Sequence, residues 1–200
     1  MSERECGCSN EICLCSKEVG GGDFMWGPIN IIFKRLNGNA VIPTKAHASD
    51  SGFDLVASED VIIEPGETAV VSTGIAVQLP QGMEAQVRPR SGVTAKTKLR
   101  VQLGTIDNGY NGEIGVIVDN INSYPPNISF EFLGNVYGTD GGLITEEFCK
   151  GKHGTYLIRK GDKVAQLVVT HLPQITTVEV KEVQESKRGS AGFGSSGYTV

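Results

Sequence analysis

Short β-branched runs recur along this chain, and glycine or proline breaks each of them within a few residues. Ala69-Val70-Val71-Ser72-Thr73 and Val164-Ala165-Gln166-Leu167-Val168-Val169 are too short for buried helices and rich in strand-forming side chains. Ile29, Ile31 and Phe33 alternate with Asn30, Ile32 and Lys34, and Val116 and Val118 face away from Ile117. The same period of two continues, imperfectly, over residues 175–183. Turn signals stand between the runs at Glu64-Pro65-Gly66-Glu67, Leu79-Pro80-Gln81-Gly82, Asn108-Gly109, Asn111-Gly112 and Lys160-Gly161-Asp162. The chain has 26 glycines in 200 residues, roughly twice the usual share of about 7%. Many short strands with this punctuation predict an all-β sandwich or barrel. Residues 91–98 alone favour a short helix, with Ser91 as its N-cap.

Organisation and charge narrow the function. Cys6, Cys8, Cys13 and Cys15 crowd the first residues, and Val19-Gly20-Gly21-Gly22-Asp23 reads as a linker. Residues 1–23 are therefore expected to be a flexible extension, 24–184 the β-domain, and 185–200 a mobile Gly/Ser-rich tail. Residues 121–159 differ in character: Pro and Gly clusters flank one candidate strand, Ile128-Ser129-Phe130-Glu131-Phe132-Leu133. The net charge is −5, so no overall field recruits nucleic acid or an anionic membrane. No run approaches a membrane span, and Met1-Ser2-Glu3-Arg4-Glu5 lacks signal-peptide character, which places the chain in a reducing cytosol. An anionic ligand must be held by a few placed groups.

Five segments have that capacity, each with a plainer alternative. Ala48-Ser49-Asp50-Ser51-Gly52-Phe53-Asp54-Leu55 sets an acid on a strand, or is a surface turn. Arg88-Pro89-Arg90-Ser91-Gly92-Val93 brings cations, a hydroxyl and helix-start N–H groups together, a recipe for phosphate or an ordinary cap. Gly104-Thr105-Ile106-Asp107-Asn108-Gly109-Tyr110-Asn111-Gly112-Glu113-Ile114 reads as a hairpin between two strands, able to present backbone groups to a flat polar ligand. Gly161-Asp162-Lys163-Val164-Ala165-Gln166-Leu167 sets an amide in an apolar strand, where it needs a partner. Arg188-Gly189-Ser190-Ala191-Gly192-Phe193-Gly194-Ser195-Ser196-Gly197 is a loose tail or a lid that stacks on a ring and binds phosphate.

Taken in order, these segments resemble the five motifs of homotrimeric dUTPases, over residues 48–197. The resemblance implies a jelly-roll trimer with one short helix per chain, sites shared between subunits, and hydrolysis of dUTP to dUMP and pyrophosphate. It assigns the inner phosphates to Arg90, Ser91 and Gly92, with Gln166 as a further donor. Asp107 is implied as general base, and Asp54 as a contact, through water, to a Mg²⁺ carried by the triphosphate. Gly104, Thr105 and Ile106 would read uracil through backbone, and Tyr110 would pack under the deoxyribose and reject UTP. Arg188, Phe193, Gly194, Ser195 and Ser196 would close over base and outer phosphate.

Some positions depart from that pattern. Ser51 and Phe53 stand where Ala and Tyr are common, Ala191 for Gly, Ser196 for Thr, and Asn111 for Arg. The stretch before the fourth motif is far longer than in most members. Some bacteriophage dUTPases carry an insert there that contacts host regulatory proteins, so the resemblance points to a phage-type enzyme with an insert over 121–159; residues 122–155 read first as a decorative β-hairpin, and alternatively as a contact for a host or phage regulatory protein. The Cys6, Cys8, Cys13 and Cys15 spacing could hold zinc, or be a reduced tail. The competing readings are a dCTP deaminase, which shares the fold, and a dUTP-gated regulator. Asp107 and Tyr110 favour the hydrolase.

Overall fold

The computed structural model describes residues 29–123, 135–144, 153–186 and 189–190. Twelve strands and one helix form within these residues, in three four-stranded sheets. One sheet has β1 (Ile32–Arg35), β4 (Thr68–Gln78), β8 (Glu113–Asn120) and β6 (Leu99–Val101), in that order. A second runs β10 (Leu143–Ile144), β9 (Val136–Tyr137), β11 (Thr155–Ile158) and β3 (Val61–Ile63). The third runs β2 (Gly52–Val56), β12 (Lys163–His171), β5 (Met83–Pro89) and β7 (Gly104–Ile106). Pairing is antiparallel except between β9 and β11.

The sheets close on one core. Leu55, Ile63, Val71, Ile75, Leu99, Ile114, Val116, Ile158 and Leu167 are almost wholly buried, and each comes from an inward position of its strand. On β8 the predicted alternation holds: Ile114, Val116 and Val118 point in, while Ile117 is exposed. Asn120 continues the inward row as a buried amide. Its Nδ2 donates to the Ile63 carbonyl (3.0 Å) and the Gly154 carbonyl (2.9 Å), joining the second sheet to the first. On the outer face, Asp119 accepts from the Thr68 hydroxyl (2.6 Å) and the Gln102 amide, which hold its carboxyl below its ordinary range.

Local expectations need correction in three places. The helix α1 spans Ser91–Lys96, and its N-cap is Arg90, in extended backbone, with no side-chain cap bond. Ser91 is thus the first helical residue. The helix ends early because the Thr97 hydroxyl turns back to the Val93 carbonyl (2.6 Å) and the Lys98 N–H donates to the Tyr156 hydroxyl (2.9 Å). Next, β7 and β8 do not form a hairpin: β7 pairs with β5 and β8 with β4 and β6. The Asn108 amide donates to the carbonyls of Leu79 (3.2 Å) and Pro80 (2.6 Å), so the intervening turn is tied to another loop while the chain passes between sheets. Finally, residues 175–183 form no strand; Ile175, Val178, Val180 and Val183 are exposed, and among the described residues no strand pairs with them. The candidate strand over 128–133 lies outside the described residues. Among the described residues no helix is long and apolar enough to cross a membrane.

Candidate active site

The third sheet gathers four of the five sequence segments. β2 carries the first, β12 the fourth, β5 leads into the second, and β7 opens the third. Gln166 lies in register with Asp54 on one side and Arg88 on the other. Residues directly opposite across strands share a face, so Asp54, Gln166 and Arg88 lie together on the face away from buried Leu55 and Leu167.

At this end of the sheet Asp54 meets two cations. Arg90 Nε lies 3.1 Å from Oδ1, and Lys163 Nζ lies 2.7 Å from Oδ2. Arg90 is fixed a second time, by Nη1 donating to the Lys163 carbonyl (3.0 Å). One carboxylate against two cations leaves the cluster with a positive excess, suited to an anion such as phosphate. Ser91 and Gly92 follow Arg90 directly and are exposed, and a methyl at Gly92 would meet nothing within 4 Å. First-turn N–H groups have no partner within their helix, so this corner offers backbone donors beside the guanidinium.

Gln166 finds its partner in the Pro89 carbonyl, to which Nε2 donates (3.0 Å). That bond ties the fourth segment to the second. It also explains the glycine of the first segment: a Cβ on Gly52 would stand 2.4 Å from Gln166 Oε1 and 3.0 Å from Gln166 Cβ. Only glycine at 52 leaves the amide where it is.

The third segment builds a different surface. Ile106 is buried, so what it can offer a ligand is backbone; Gly104 and Thr105 continue that edge strand. Asp107 is exposed at the turn, and its carbonyl accepts the Tyr110 N–H (3.1 Å). The Tyr110 ring folds back over Gly112, where a Cβ would stand 2.5 Å from the phenol oxygen, and its hydroxyl donates to the Glu113 carbonyl (2.9 Å). The Glu113 carboxylate accepts from the Ser72 hydroxyl (2.5 Å) and the Gly74 N–H (2.8 Å), anchoring the whole turn to β4.

The two surfaces are far apart within one chain. Ile106 pairs with Ala85, which places Asp107 level with Glu84, six residues along the strand direction from Arg90. At about 3.3 Å per residue this is about 20 Å. A cleft of about 410 Å³, lined by residues including Asp140, Arg159 and Asp162, includes neither Asp107 nor Arg90. Asp54, Arg90, Ser91, Gly92 and Gln166 are therefore brought together, and Asp107 and Tyr110 are not brought to them.

Two residues of the site were passed over in the sequence. Lys163 grips Asp54, and Glu113 anchors the tyrosine turn. Both stand inside the quoted segments, yet only strand register reveals what they touch. Arg188, Phe193, Gly194, Ser195 and Ser196 of the tail lie outside the described residues, as do Cys6, Cys8, Cys13 and Cys15. No group of three or more His, Cys, Asp or Glu gathers among the described residues. A lone carboxylate, Asp54, at a corner whose positive excess suits an anion fits Mg²⁺, which is commonly held by one or two carboxylates together with substrate phosphates.

Comparison with known proteins agrees with this geometry. The dUTPase family pattern matches residues 38–129 and 151–197. The deoxyuridine 5'-triphosphate nucleotidohydrolase of Clostridioides difficile is 39% identical over 171 residues, covering 84% of this chain and 99% of that protein. The Clostridium kluyveri protein of the same name is 36% identical over the same shares. Among solved structures, the dUTPase of Staphylococcus bacteriophage 80alpha with dUPNHPP is 35% identical, with TM-score 0.78, covering 84% of this chain and 99% of that one. The dUTPase from phage phi11 of S. aureus, described with a species-specific insert, is 34% identical with TM-score 0.66, covering 79% and 98%. With the family pattern spanning more than half the chain, this protein belongs to the dUTPase family.

Proposed function

We propose that this chain hydrolyses dUTP to dUMP and pyrophosphate as a cytoplasmic homotrimer, each site drawing Asp107 from one subunit and Arg90, Ser91, Gly92, Gln166 and Asp54 from another. The activity is that of the family and of the bacterial relatives. The observation that carries the shared site is the separation of about 20 Å between Asp107 and the Arg90 corner, estimated from strand rise. Residues that serve one reaction must stand within a few ångströms of the reacting atoms, so a second copy has to supply one set. The exposed apolar side chains of Ile175, Val178, Val180 and Val183 support this reading, since a segment with no paired strand among the described residues is suited to lie on another subunit.

The chemistry then divides between the two surfaces. Asp107 orients a water and accepts its proton as the oxygen attacks the α-phosphorus in line. The bond from that phosphorus to the bridging oxygen breaks, and pyrophosphate leaves. Arg90, the Ser91 hydroxyl and the N–H groups at the start of α1 offset the charge on the inner phosphates. Gln166 uses one amide hydrogen on Pro89 and has a second to offer to a phosphate oxygen. Lys163, whose Nζ lies 2.7 Å from Asp54 Oδ2, is a second cation of the same corner and would add its charge to Arg90's beside the phosphates. Mg²⁺ supplies neutralisation of the triphosphate when bound with it, and Asp54 is the residue that would hold it. The edge of β7 reads uracil, Tyr110 lies under the deoxyribose, and the tail residues Arg188, Phe193, Gly194, Ser195 and Ser196 cover base and outer phosphate.

The test is product analysis with dUTP, dCTP, dTTP and UTP, each with and without Mg²⁺. Only dUTP is expected to be consumed, giving dUMP and pyrophosphate, with most of the rate lost on chelation. Consumption of dCTP would instead make the chain a deaminase of related fold. The phage-type reading adds a protein partner. Phage dUTPases are described as controlling transfer of virulence genes by a G protein-like mechanism, and residues 130–150 here fall outside the family pattern. A chain lacking 130–150 is expected to lose a host regulator that the full chain retains in pull-down; equal retention by both overturns that part.

A further inference from the structure

The described part of the long stretch before the fourth motif is a small hairpin, β9 and β10 joined by a tight turn. The Gly138 N–H donates to the Gly142 carbonyl (2.9 Å), and the Gly141 N–H to the Gly138 carbonyl (3.0 Å). Within this turn two residues touch the catalytic scaffold at separate places. The Thr139 hydroxyl donates to Asp162 Oδ2 (3.0 Å). Gly141, at φ +78°, presses on the last turn of α1: a Cβ there would stand 2.5 Å from the Lys96 carbonyl oxygen.

Each contact leads directly to the anion corner. Asp162 Oδ2 also accepts the Arg159 N–H (3.0 Å), and the Asp162 carbonyl accepts the Ala57 N–H (2.9 Å), which fixes the turn ahead of β12. The next residue is Lys163, whose Nζ holds Asp54 and whose carbonyl holds Arg90. The other contact abuts the helix whose first residues are Ser91 and Gly92. The hairpin therefore braces both elements that carry the phosphate-binding groups, although residues 130–150 lie outside the family pattern.

We infer that Thr139 and Gly141 are positioning residues for triphosphate binding: they fix the Asp162–Lys163 turn and the α1 helix at the distance that lets Arg90, Ser91 and Lys163 converge on phosphate. They touch no reacting atom, so their loss acts on substrate affinity rather than on the proton transfer at Asp107. This rests on the reading of Arg90 as a phosphate ligand.

The experiment measures kcat, KM for dUTP and Tm of the full chain and four variants. Thr139→Val removes the hydroxyl at nearly constant volume and is expected to raise KM about 3- to 10-fold, the scale of one ordinary net hydrogen bond, with kcat within twofold. Thr139→Ser restores the hydroxyl and is expected to return KM to the original value. Gly141→Ala is expected to raise KM in the same direction by displacing α1. If Thr139→Val does not yield folded protein, Gly141→Ala decides alone. An unchanged KM in Thr139→Val and Gly141→Ala, a loss that Thr139→Ser does not repair, or a fall in kcat at constant KM overturns the inference. Arg90→Gln separates the two levels: if it leaves both kcat and KM unchanged, the phosphate reading itself is wrong, whereas a loss in kcat/KM there with unchanged KM at Thr139 and Gly141 removes only their role.

Discussion

Asp107→Asn is expected to lower kcat for dUTP by about 10²–10⁴-fold, the range over which a positioned general base contributes, while KM stays within a few-fold and Tm is almost unmoved. The amide has the size of the carboxylate and still accepts a hydrogen bond from water, but it cannot take the proton. The fold should tolerate the change because the Asp107 side chain is exposed and the turn uses its backbone carbonyl, which accepts the Tyr110 N–H. The rest of the turn is secured independently, by Asn108 on Leu79 and Pro80 and by Glu113 on Ser72 and Gly74. Quenched single-turnover measurement of dUMP formation checks the prediction without interference from product dissociation. A variant that keeps more than about a tenth of kcat would move the base elsewhere, since loss of this role costs at least about two orders of magnitude.

What was legible in the sequence follows from what local pattern encodes. The inward row of β8 and the buried runs of β4 and β12 show directly as period-two hydrophobicity. The glycines at 52 and 112 read as turn or motif residues, but the reason for each is a contact: Gln166 in one case and Tyr110 in the other. Lys163 was overlooked because a lysine after Gly-Asp reads as a solvated turn residue. Its role depends on β12 lying beside β2, a pairing between strands a hundred residues apart. The hairpin expected around Asp107 failed for the same reason, since two apolar runs flanking an Asn-Gly loop do not say which sheet each run joins. Over 175–183 the alternation is real, yet a strand exists only beside another strand, and the described residues offer none there.

The exposed 175–183 segment and the proposed division of the site make the claim about assembly testable with two damaged subunits. Arg90→Ala removes the guanidinium that contacts Asp54 and the Lys163 carbonyl, and is expected to cost about 10²–10³-fold in kcat/KM as a lost charge-stabilising donor. Asp107→Asn is damaged at the other surface. Co-expressed in equal amounts, the two variants should assemble at random. If each site takes Asp107 from one subunit and Arg90 from its neighbour, about a quarter of the sites in a closed symmetric assembly receive both intact residues. Activity should then rise well above that of either parent, to about a quarter of the unaltered enzyme per site. If both residues served a site within one chain, every site would carry one lesion and the mixture would be no more active than its better parent. The two outcomes differ by an order of magnitude or more, roughly the gap between intact and Arg90-deficient sites. Separately purified variants mixed without subunit exchange supply the baseline. The same mixture also weighs the strand-rise argument: complementation requires that the separation between Asp107 and the Arg90 corner be bridged by a neighbour, not by a rearrangement of β5 and β7 within one chain.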